Sequence, residues 1–333
     1  TMMSIGDLAQ SFVLRNRNAA LKQDMLRLTQ ELSTGQITDI RGALAGNHTY
    51  LTEIERNLTV LDGYDVATTE ATIFASATQT ALARIQDVGN ELANSLMIKG
   101  NSTVGSLSTD TAAEAKASLA TIVATLNTKA AGRSVFGGTA TDRPAVASVE
   151  TLLAGLKSAI AGAATPADMV LNAKAWFDDP AGFDAIAYQG ADKPLAAISL
   201  SDTEEVRFDL RATEPRLKDV LLFAGLAALA DDPALAFDDT QKAELFVEAG
   251  TSMLGARDAV IALRSRIGFV EAQIDGIATR NAAERTSAEF EKTSLLQVDP
   301  YETATKLEEV QFQLQSLYAV TAKMSQLSLV NFL

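Results

Sequence analysis

The sequence predicts a mainly α-helical protein: a long antiparallel helical bundle, or coiled coil, formed by both chain ends, with a small α+β insertion domain between them. Three observations indicate this fold class. Apolar residues repeat with heptad spacing near both ends of the 333-residue chain, aromatic residues make up only 6% of it, and an acidic middle region has short segments separated by Pro turns. Heptad seams are typical of helices that pack along one stripe, and seams of this length need a partner helix.

The first predicted helix runs from about Ile5 to Ser33. Its apolar seam consists of Leu14, Leu21, Leu28, Met25 and Leu32, with Asn18 interrupting the repeat. Gly35 is expected to end this helix, because glycine readily adopts the left-handed conformation that closes a helix C-terminus. A loop rich in Gly and Asn follows over residues 42–48.

Two further helices are predicted before the middle region. The first spans about Tyr50 to Lys99 and would be roughly 70 Å long at 1.5 Å per residue. A turn at residues 100–103 separates it from a third helix at about Thr109 to Ala131. The next segment, 135–139, is rich in residues typical of turns and strands, and we favour a tight turn over a phosphate-binding loop because the P-loop pattern is absent.

The middle region, residues 143–250, is predicted to be the α+β insertion. Between Arg143 and Glu248 it holds 18 acidic and 9 basic residues, a balance of −9 in a chain of net charge −14. Ala-rich short helices alternate with the turns 178–180 and 231–233, whose Asp pairs we interpret as helix caps rather than cation ligands. The segments 198–200 and 206–210 show the alternation typical of strands. The pair Trp176-Phe177 is expected to anchor the core.

Helices are expected to resume near Thr251, and the last one begins at Asp299-Pro300-Tyr301-Glu302. Here Asp supplies an N-cap oxygen, Pro suits the first helical position, and Glu is placed to close a capping box. The apolar seam of this helix consists of Leu307, Val310, Leu314, Leu317 and Met324. Lys323 is the only charged residue from Val310 to Leu333. We therefore favour a tail covered by neighbouring subunits over the buried terminal helix of a monomer.

Residue types that carry catalysis or ligand binding are sparse in this sequence. It contains no Cys, and His48 is its only histidine, which we interpret as a solvated loop residue. A Ser-His-Asp triad would need a nucleophile-elbow pattern that is absent. We assign no catalytic, cofactor-binding or metal-binding residue and expect no cofactor. The acidic charge argues against nucleic-acid and membrane binding, and no apolar run reaches 18 residues. The N-terminal residues show no cleavable secretion signal.

Three segments resemble the bacterial flagellin superfamily. Asp299-Pro300-Tyr301-Glu302, the heptads from Leu307 to Leu317 and the ending Leu327-Ser328-Leu329-Val330-Asn331-Phe332-Leu333 resemble the flagellin C-terminal helical region. The stretch Leu28-Thr29-Gln30-Glu31-Leu32-Ser33-Thr34-Gly35 is similar to the matching N-terminal pattern. The segment Val135-Phe136-Gly137-Gly138-Thr139-Ala140-Thr141-Asp142-Arg143-Pro144 resembles the signature of the flagellar hook-associated protein 3 family, the hook-filament junction proteins.

The resemblance implies a secreted, extracellular structural subunit at the hook-filament junction, and not an enzyme. It implies export through the flagellar type III apparatus with a chaperone. The implied partners are copies of the chain in a ring or helical assembly, a neighbouring hook-associated protein and flagellin. The alternatives are a filament-forming flagellin and, from another class, a coiled-coil sensor or signalling module.

Assembly and packing are assigned to the terminal seams. The residues expected to carry them are Leu14, Leu21, Leu28, Leu32, Leu307, Val310, Leu314, Leu317 and Met324. The corresponding division of the chain is 1–142 and 251–333 for the two helical segments of the bundle, with 143–250 as the acidic insertion domain.

Overall fold

The computed structural model describes residues 5–40, 42, 48–101 and 107–330. The protein is mainly helical, which confirms the predicted fold class. The helices are α1 (Ile5–Thr34), α2 (His48–Gly100), α3 (Leu107–Leu126), α4 (Val149–Ala159), α5 (Pro166–Asp178), α6 (Phe183–Ile186), α7 (Pro215–Leu229), α8 (Asp239–Leu296) and α9 (Pro300–Val330). The strands are β1 (Lys129–Ala130), β2 (Arg133–Ser134), β3 (Ile198–Ser199) and β4 (Glu205–Val206), and they pair as two antiparallel hairpins.

The chain divides into two compact units. Unit 1 comprises the described residues up to Leu61 and from Ala283 onward, and unit 2 comprises the described residues from Asp62 to Ala282. The helices α2 and α8 each contribute one part to unit 1 and the other part to unit 2.

In unit 1, α1 and α9 pair antiparallel, as the two terminal seams predicted. The Gln10 amide lies 3.9 Å from the Met324 sulfur near one end of the pair. At the other end, the backbone N–H of Val298 donates to the carbonyl of Gly35 at 3.0 Å. The parts of α2 and α8 in this unit also run antiparallel: Leu51 packs against Leu296, and Lys292 is 2.9 Å from the carboxylate of Glu55.

In unit 2, the apolar stripes of α2 and α8 meet in a core that α3 and α7 complete. The large side chains of α2 and α3 in this core are almost fully buried: Phe74, Leu82, Ile85, Leu92, Leu96, Leu119, Ile122 and Leu126. The direction of the α2–α8 pair is antiparallel, because Gln79 donates to the carbonyl of Arg264 at 3.3 Å while Gly89 lies beside Met253.

Two short helices of the middle region, α4 and α5, begin at side-chain caps, and aromatic packing joins α5 to α6. Thr165 and Asp168 form a capping box at the start of α5. Phe177 stacks on Phe183 with 5.0 Å between ring centroids, which confirms the predicted core anchor. Lys218 on α7 is buried beside these rings, where its ammonium is 2.6 Å from Asp184 and donates to the carbonyl of Phe177.

The β3–β4 hairpin contacts both long helices of unit 2. The hydroxyl of Tyr64 on α2 donates to Asp202 at 2.6 Å. On α8, the amide of Asn281 donates to the carbonyl of Leu200 at 2.8 Å, and Arg280 pairs with Glu204. The hairpin therefore bonds two elements that lie far apart in the sequence. The predicted strands are present, although each is only two residues long.

Two predicted helix boundaries were wrong. The third helix ends at Leu126 and not near Ala131, because the Asn127 side chain bonds both backbone groups of Val146, at 2.8 and 2.9 Å, and β1 follows at once. The eighth helix begins at Asp239 and not near Thr251. Asp238 and Gln241 bond each other's backbone N–H groups there, which is the geometry of a capping box.

The predicted tight turn lies at Gly137-Gly138-Thr139 and is confirmed. Gly138 adopts φ +59°, and the backbone N–H of Thr139 donates to the carbonyl of Lys193 at 3.0 Å. Nearby, Tyr188 donates to the carbonyl of Ala191, and burial raises the pKa of this tyrosine to about 12. The turn is thus packed against the chain around residues 188–193.

Replacement of Gly138 by Ala is expected to destabilise unit 2. An added Cβ would lie 2.5 Å from the carbonyl oxygen of Lys193 and 2.7 Å from that of Ala191, and the positive φ adds backbone strain. We expect a loss of about 2 to 4 kcal/mol in the free energy of unfolding, measured by urea denaturation. Gly162→Ala is the matched control, because Gly162 also has a positive φ but open space around it. Equal losses in the two variants would contradict the steric argument.

Candidate assembly surface

The terminal seam residues assigned to packing and assembly lie along the α1–α9 pair in different degrees of burial. Leu21 and Leu28 are buried, whereas Leu32 is 40% exposed. The remaining assigned residues are half-buried: Leu14, Leu307, Val310, Leu314, Leu317 and Met324. The pair therefore buries Leu21 and Leu28 on α1 and leaves every assigned seam position of α9 partly open to solvent.

Large apolar side chains are also exposed on both helices, most of them outside this seam. Eight of those that are exposed within the described residues belong to α1 and α9: Phe12, Val13, Leu26, Leu32, Tyr301, Phe312, Tyr318 and Val320. Phe12 is 62% exposed and Phe312 is 70% exposed. A group of large apolar side chains left open to solvent is typical of a surface that binds another protein.

Sequence reasoning missed most of these outward residues. It followed only the heptad seam, and seven of the eight lie outside it, with Leu32 the exception. The available signal was apolar residues one or two positions from the seam, such as Phe12 and Val13 immediately before Leu14, or Phe312 two residues from both Val310 and Leu314. Helical positions one residue apart point about 100° apart and positions two residues apart about 200° apart, so one partner helix cannot cover both.

Polar contacts stabilise the base of the α1–α9 pair, which is the end where α1 finishes and α9 begins. The Glu31 side chain is buried, is 3.2 Å from Arg27, and accepts the backbone N–H of Thr38 at 3.1 Å. Burial lowers the pKa of Arg27, but its hydrogen bonds and charge interactions with Asp24 and Glu31 outweigh this effect and raise that pKa. Gly35 ends α1 with φ +71°, as predicted.

The start of α9 is capped as the sequence predicted. The carboxylate of Asp299 accepts the backbone N–H groups of Tyr301 at 2.8 Å and Glu302 at 3.2 Å. Glu302 does not close the expected capping box, since its carboxylate pairs with Lys306 at 2.7 Å, one turn further along the helix. The negative charge of Asp299 also interacts favourably with the positive end of the α9 helix dipole.

The other polar residues singled out in the sequence do not converge on a reactive site. His48 is exposed, at the first residue of α2 rather than in the loop before it. Asp179 and Asp232 accept backbone N–H groups two residues downstream, and Asp231 and Asp232 pair with Lys242 and Lys157. Over residues 5–40, 42, 48–101 and 107–330, no group of three or more acidic or His side chains is placed to hold a metal ion.

Unit 1 also contains a polar cleft of about 590 Å³ near the base of the α1–α9 pair. Its lining includes the Arg27–Glu31 ion pair, Asp299 and Lys306. Arg27 and Glu31 bond each other, Asp299 accepts backbone N–H groups at the start of α9, and Lys306 pairs with Glu302. Among the helices that the structure describes, none is both long and apolar enough to cross a lipid bilayer.

The C-terminal region matches a known family. Residues 251–333 match the family model of the bacterial flagellin C-terminal helical region. This stretch contains most of α8 and all of α9, including the capped start at Asp299 and the seam that follows it. The resemblance to flagellin at this end of the chain is thereby confirmed, and that family is one of structural proteins rather than enzymes.

The fold is similar to that of one solved structure. A structure described as that of a "putative flagellar hook-associated protein" from Vibrio parahaemolyticus superposes with a TM-score of 0.53 at 14% sequence identity. The similarity covers 75% of this chain and 99% of that chain. At this identity the likeness concerns the fold alone. No curated protein sequence is significantly similar to this chain.

Removal of the α9 cap is expected to loosen the start of that helix. Asp299→Ala leaves the backbone N–H groups of Tyr301 and Glu302 without their carboxylate acceptor, at a cost of about 1 kcal/mol. Hydrogen exchange of the first turn of α9 should accelerate about fivefold. Asp299→Asn, which keeps an oxygen at the cap, should exchange nearly as the parent does. Unchanged exchange in Asp299→Ala would show that α9 starts without help from this side chain.

Proposed function

We propose that this chain is a structural subunit of the bacterial flagellum that assembles through its terminal helices. The observation that carries the proposal is the flagellin-type C-terminal region, whose helix α9 exposes Phe312, Tyr318 and Val320 when paired only with α1. These side chains gain about 25 cal/mol per Å² of apolar surface when neighbouring subunits cover them. Copies of the same chain, in a ring or helical array, are the simplest source of that cover.

We further propose that the subunit belongs to the hook-filament junction. The supporting features are the segment Val135–Pro144, with its tight turn at Gly138, and the similarity of the fold to the Vibrio protein. Its partners would then be copies of itself, a neighbouring hook-associated protein and flagellin. Export would use the flagellar type III apparatus and a chaperone, and the protein would act outside the cell.

The division of labour along the chain is part of the same proposal. Residues 1–142 and 251–333 would supply the bundle, and residues 143–250 would form an acidic insertion domain. In support, this middle segment contains the short helices α4 to α7 and the β3–β4 hairpin, and it carries −9 of the net charge of −14. An acidic surface is expected to stay in contact with water, because like charges on neighbouring subunits repel each other.

Two alternatives remain distinct from the junction role. A filament-forming flagellin would share the C-terminal region and the exposed apolar side chains. A coiled-coil sensor or signalling module would share long helices, but the flagellin-type region argues against it.

A strain that lacks the corresponding gene separates these functions. A junction subunit predicts hooks without filaments and flagellin shed into the medium, as seen by electron microscopy and immunoblotting. A filament flagellin predicts loss of the filament protein itself. Normal hooks and filaments in the deletion strain, together with a defect in signalling, would contradict the structural proposal.

Phe312→Glu is expected to abolish incorporation into flagella while leaving the isolated subunit folded. Phe312 is largely exposed, so a carboxylate there remains hydrated in the monomer, whereas burial between subunits would cost several kcal/mol. The melting temperature of the purified protein should change by less than about 2 °C. Incorporation is measured in sheared flagella from the complemented strain.

Two control variants calibrate this prediction. Glu308→Ala, at an exposed position on the same helix, should be nearly silent in both assays. Leu28→Glu, at a buried seam position, should lower the melting temperature of the monomer itself. If Phe312→Glu incorporates normally, the outward face of α9 is not an assembly surface.

A further inference from the structure

We propose that unit 2 carries a second, lateral contact between copies, in which Phe269 of one subunit enters a groove beside Ile73 of its neighbour. This inference rests on the proposed self-assembly and adds the surfaces, direction and register of one neighbour contact. It is independent of the α1–α9 pair, because both surfaces lie within residues 62–282.

One of the two surfaces is a knob. Phe269 on α8 is 73% exposed, although it stands between two positions that face the core, Ile267 and Val270. Eleven residues earlier on the same helix lies Asp258, whose side chain is 70% exposed and whose Oδ1 atom accepts hydrogen bonds from the adjacent Arg257 at 3.0 and 3.1 Å. Eleven residues make about three helical turns, so both side chains lie on one side of α8, about 16 Å apart along its axis.

The other surface is a groove of about 670 Å³ between α2 and the end of α3. Its lining is mostly small or apolar: Thr72, Ile73, Ser76, Ala77, Thr80, Ala81, Arg84, Thr125 and Thr128. Ile73 is 47% exposed, and Arg84 is exposed at one end of the groove. Ile73 and Arg84 are also eleven residues apart, so they too share one side of their helix.

The knob and the groove lie at the same height, meaning the same position along the common axis of α2 and α8. Gln79 lies beside Arg264, which fixes the relative level of the two antiparallel helices. Ile73 is six residues before Gln79, and Phe269 is five residues after Arg264, so these two lie within about 2 Å of the same height. Arg84 is five residues after Gln79, and Asp258 is six residues before Arg264. These two residues therefore also lie within about 2 Å of the same height, on the opposite side of Gln79 from Ile73 and Phe269.

A neighbour placed side by side, in the same orientation, therefore meets complementary groups at two heights. The ring of Phe269 faces the apolar groove at Ile73, and the carboxylate of Asp258 faces the guanidinium of Arg84. Arg84 carries positive charge in a chain of net charge −14, which favours an acidic group of a second copy at this end of the groove. The occupant of the groove is thus a second copy of this chain.

The contact is heterologous, because the two surfaces share no residue. Head-to-tail contacts of this kind generate rings when the rotation closes and helical arrays when it does not. A contact that preserves height favours a closed ring around an axis roughly parallel to α2 and α8.

Cross-linking tests the contact directly, since the natural chain contains no Cys. Ser76→Cys, in the groove one turn from Ile73, and Ser265→Cys, one turn from Phe269 on α8, are made in separate full-length chains and treated with a short bis-maleimide, so that both contact residues are kept. We expect covalent dimers when the two variants are mixed, and only background dimer with either variant alone. Efficient cross-linking of one variant with itself would indicate a symmetric contact and overturn the proposal.

A charge exchange tests the register. Arg84→Glu and Asp258→Arg should each reduce incorporation into flagella at least fivefold, and the double variant should restore most of it. Arg84→Glu combined with Asp275→Arg is the matched control: Asp275 is exposed on α8 at a different height, so no rescue is expected. Melting temperatures near that of the parent confirm that each variant folds. Failure of the double variant to recover incorporation contradicts the register.

The cross-linking is performed on sheared flagella that contain both Cys variants and on concentrated purified protein. Protein present in flagella without cross-linked dimers overturns the lateral contact while leaving the proposed function intact. Protein absent from flagella, but cross-linked in the concentrated sample, contradicts the proposed function and supports the contact. Absence of cross-links from both samples overturns the contact.

Discussion

The apolar stripes of α2 and α8 must be covered along their whole length in unit 2, and the other elements of this unit are arranged to meet that constraint. Leu82, Ile85 and Leu92 on α2 are almost inaccessible, as are Val260 and Leu263 on α8. Complete burial of one such side chain stabilises the fold by roughly 1.5 to 3 kcal/mol. The helices α3 and α7 supply the surfaces that two antiparallel helices cannot offer each other.

Unit 1 meets the same constraint only in part. A pair of helices covers one stripe on each member, so Leu21 and Leu28 are buried while Phe12 and Phe312 are not. The chain thus combines a unit that completes its own core with a unit that leaves apolar surface for others. This division would let one subunit fold alone and still gain free energy in the proposed assembly.

Features that depend on residues close together in the sequence could be predicted from local sequence signals. The heptad seams gave the antiparallel pairing, Asp299 gave the start of α9, and Gly35 gave the end of α1. The prediction of α3 was wrong at its end because Asn127 bonds Val146, a contact that no helical periodicity reports. The start of α8 carried a readable capping box at Asp238 and Gln241, which was overlooked.

Tertiary contacts account for the features that the sequence left open. The burial of Lys218 depends on Asp184 and on the carbonyl of Phe177, which come from two other helices. The candidate surfaces could likewise be predicted only in part from the sequence. The seam residues could be assigned, but the exposure of Phe12, Phe312 and Phe269 depends on which faces the partner helices cover.

The β3–β4 hairpin also bears on the timing of folding. Its bonds to Tyr64 and to Arg280 and Asn281 join a helix near the beginning of the chain with one near its end. Closing so long a loop costs conformational entropy before any contact repays it. Before α8 is available, α2 can pack against α3 but lacks the antiparallel helix that completes its apolar core. The long-range part of the core in unit 2 can therefore form only after residues as late as Asn281 have joined the folding chain.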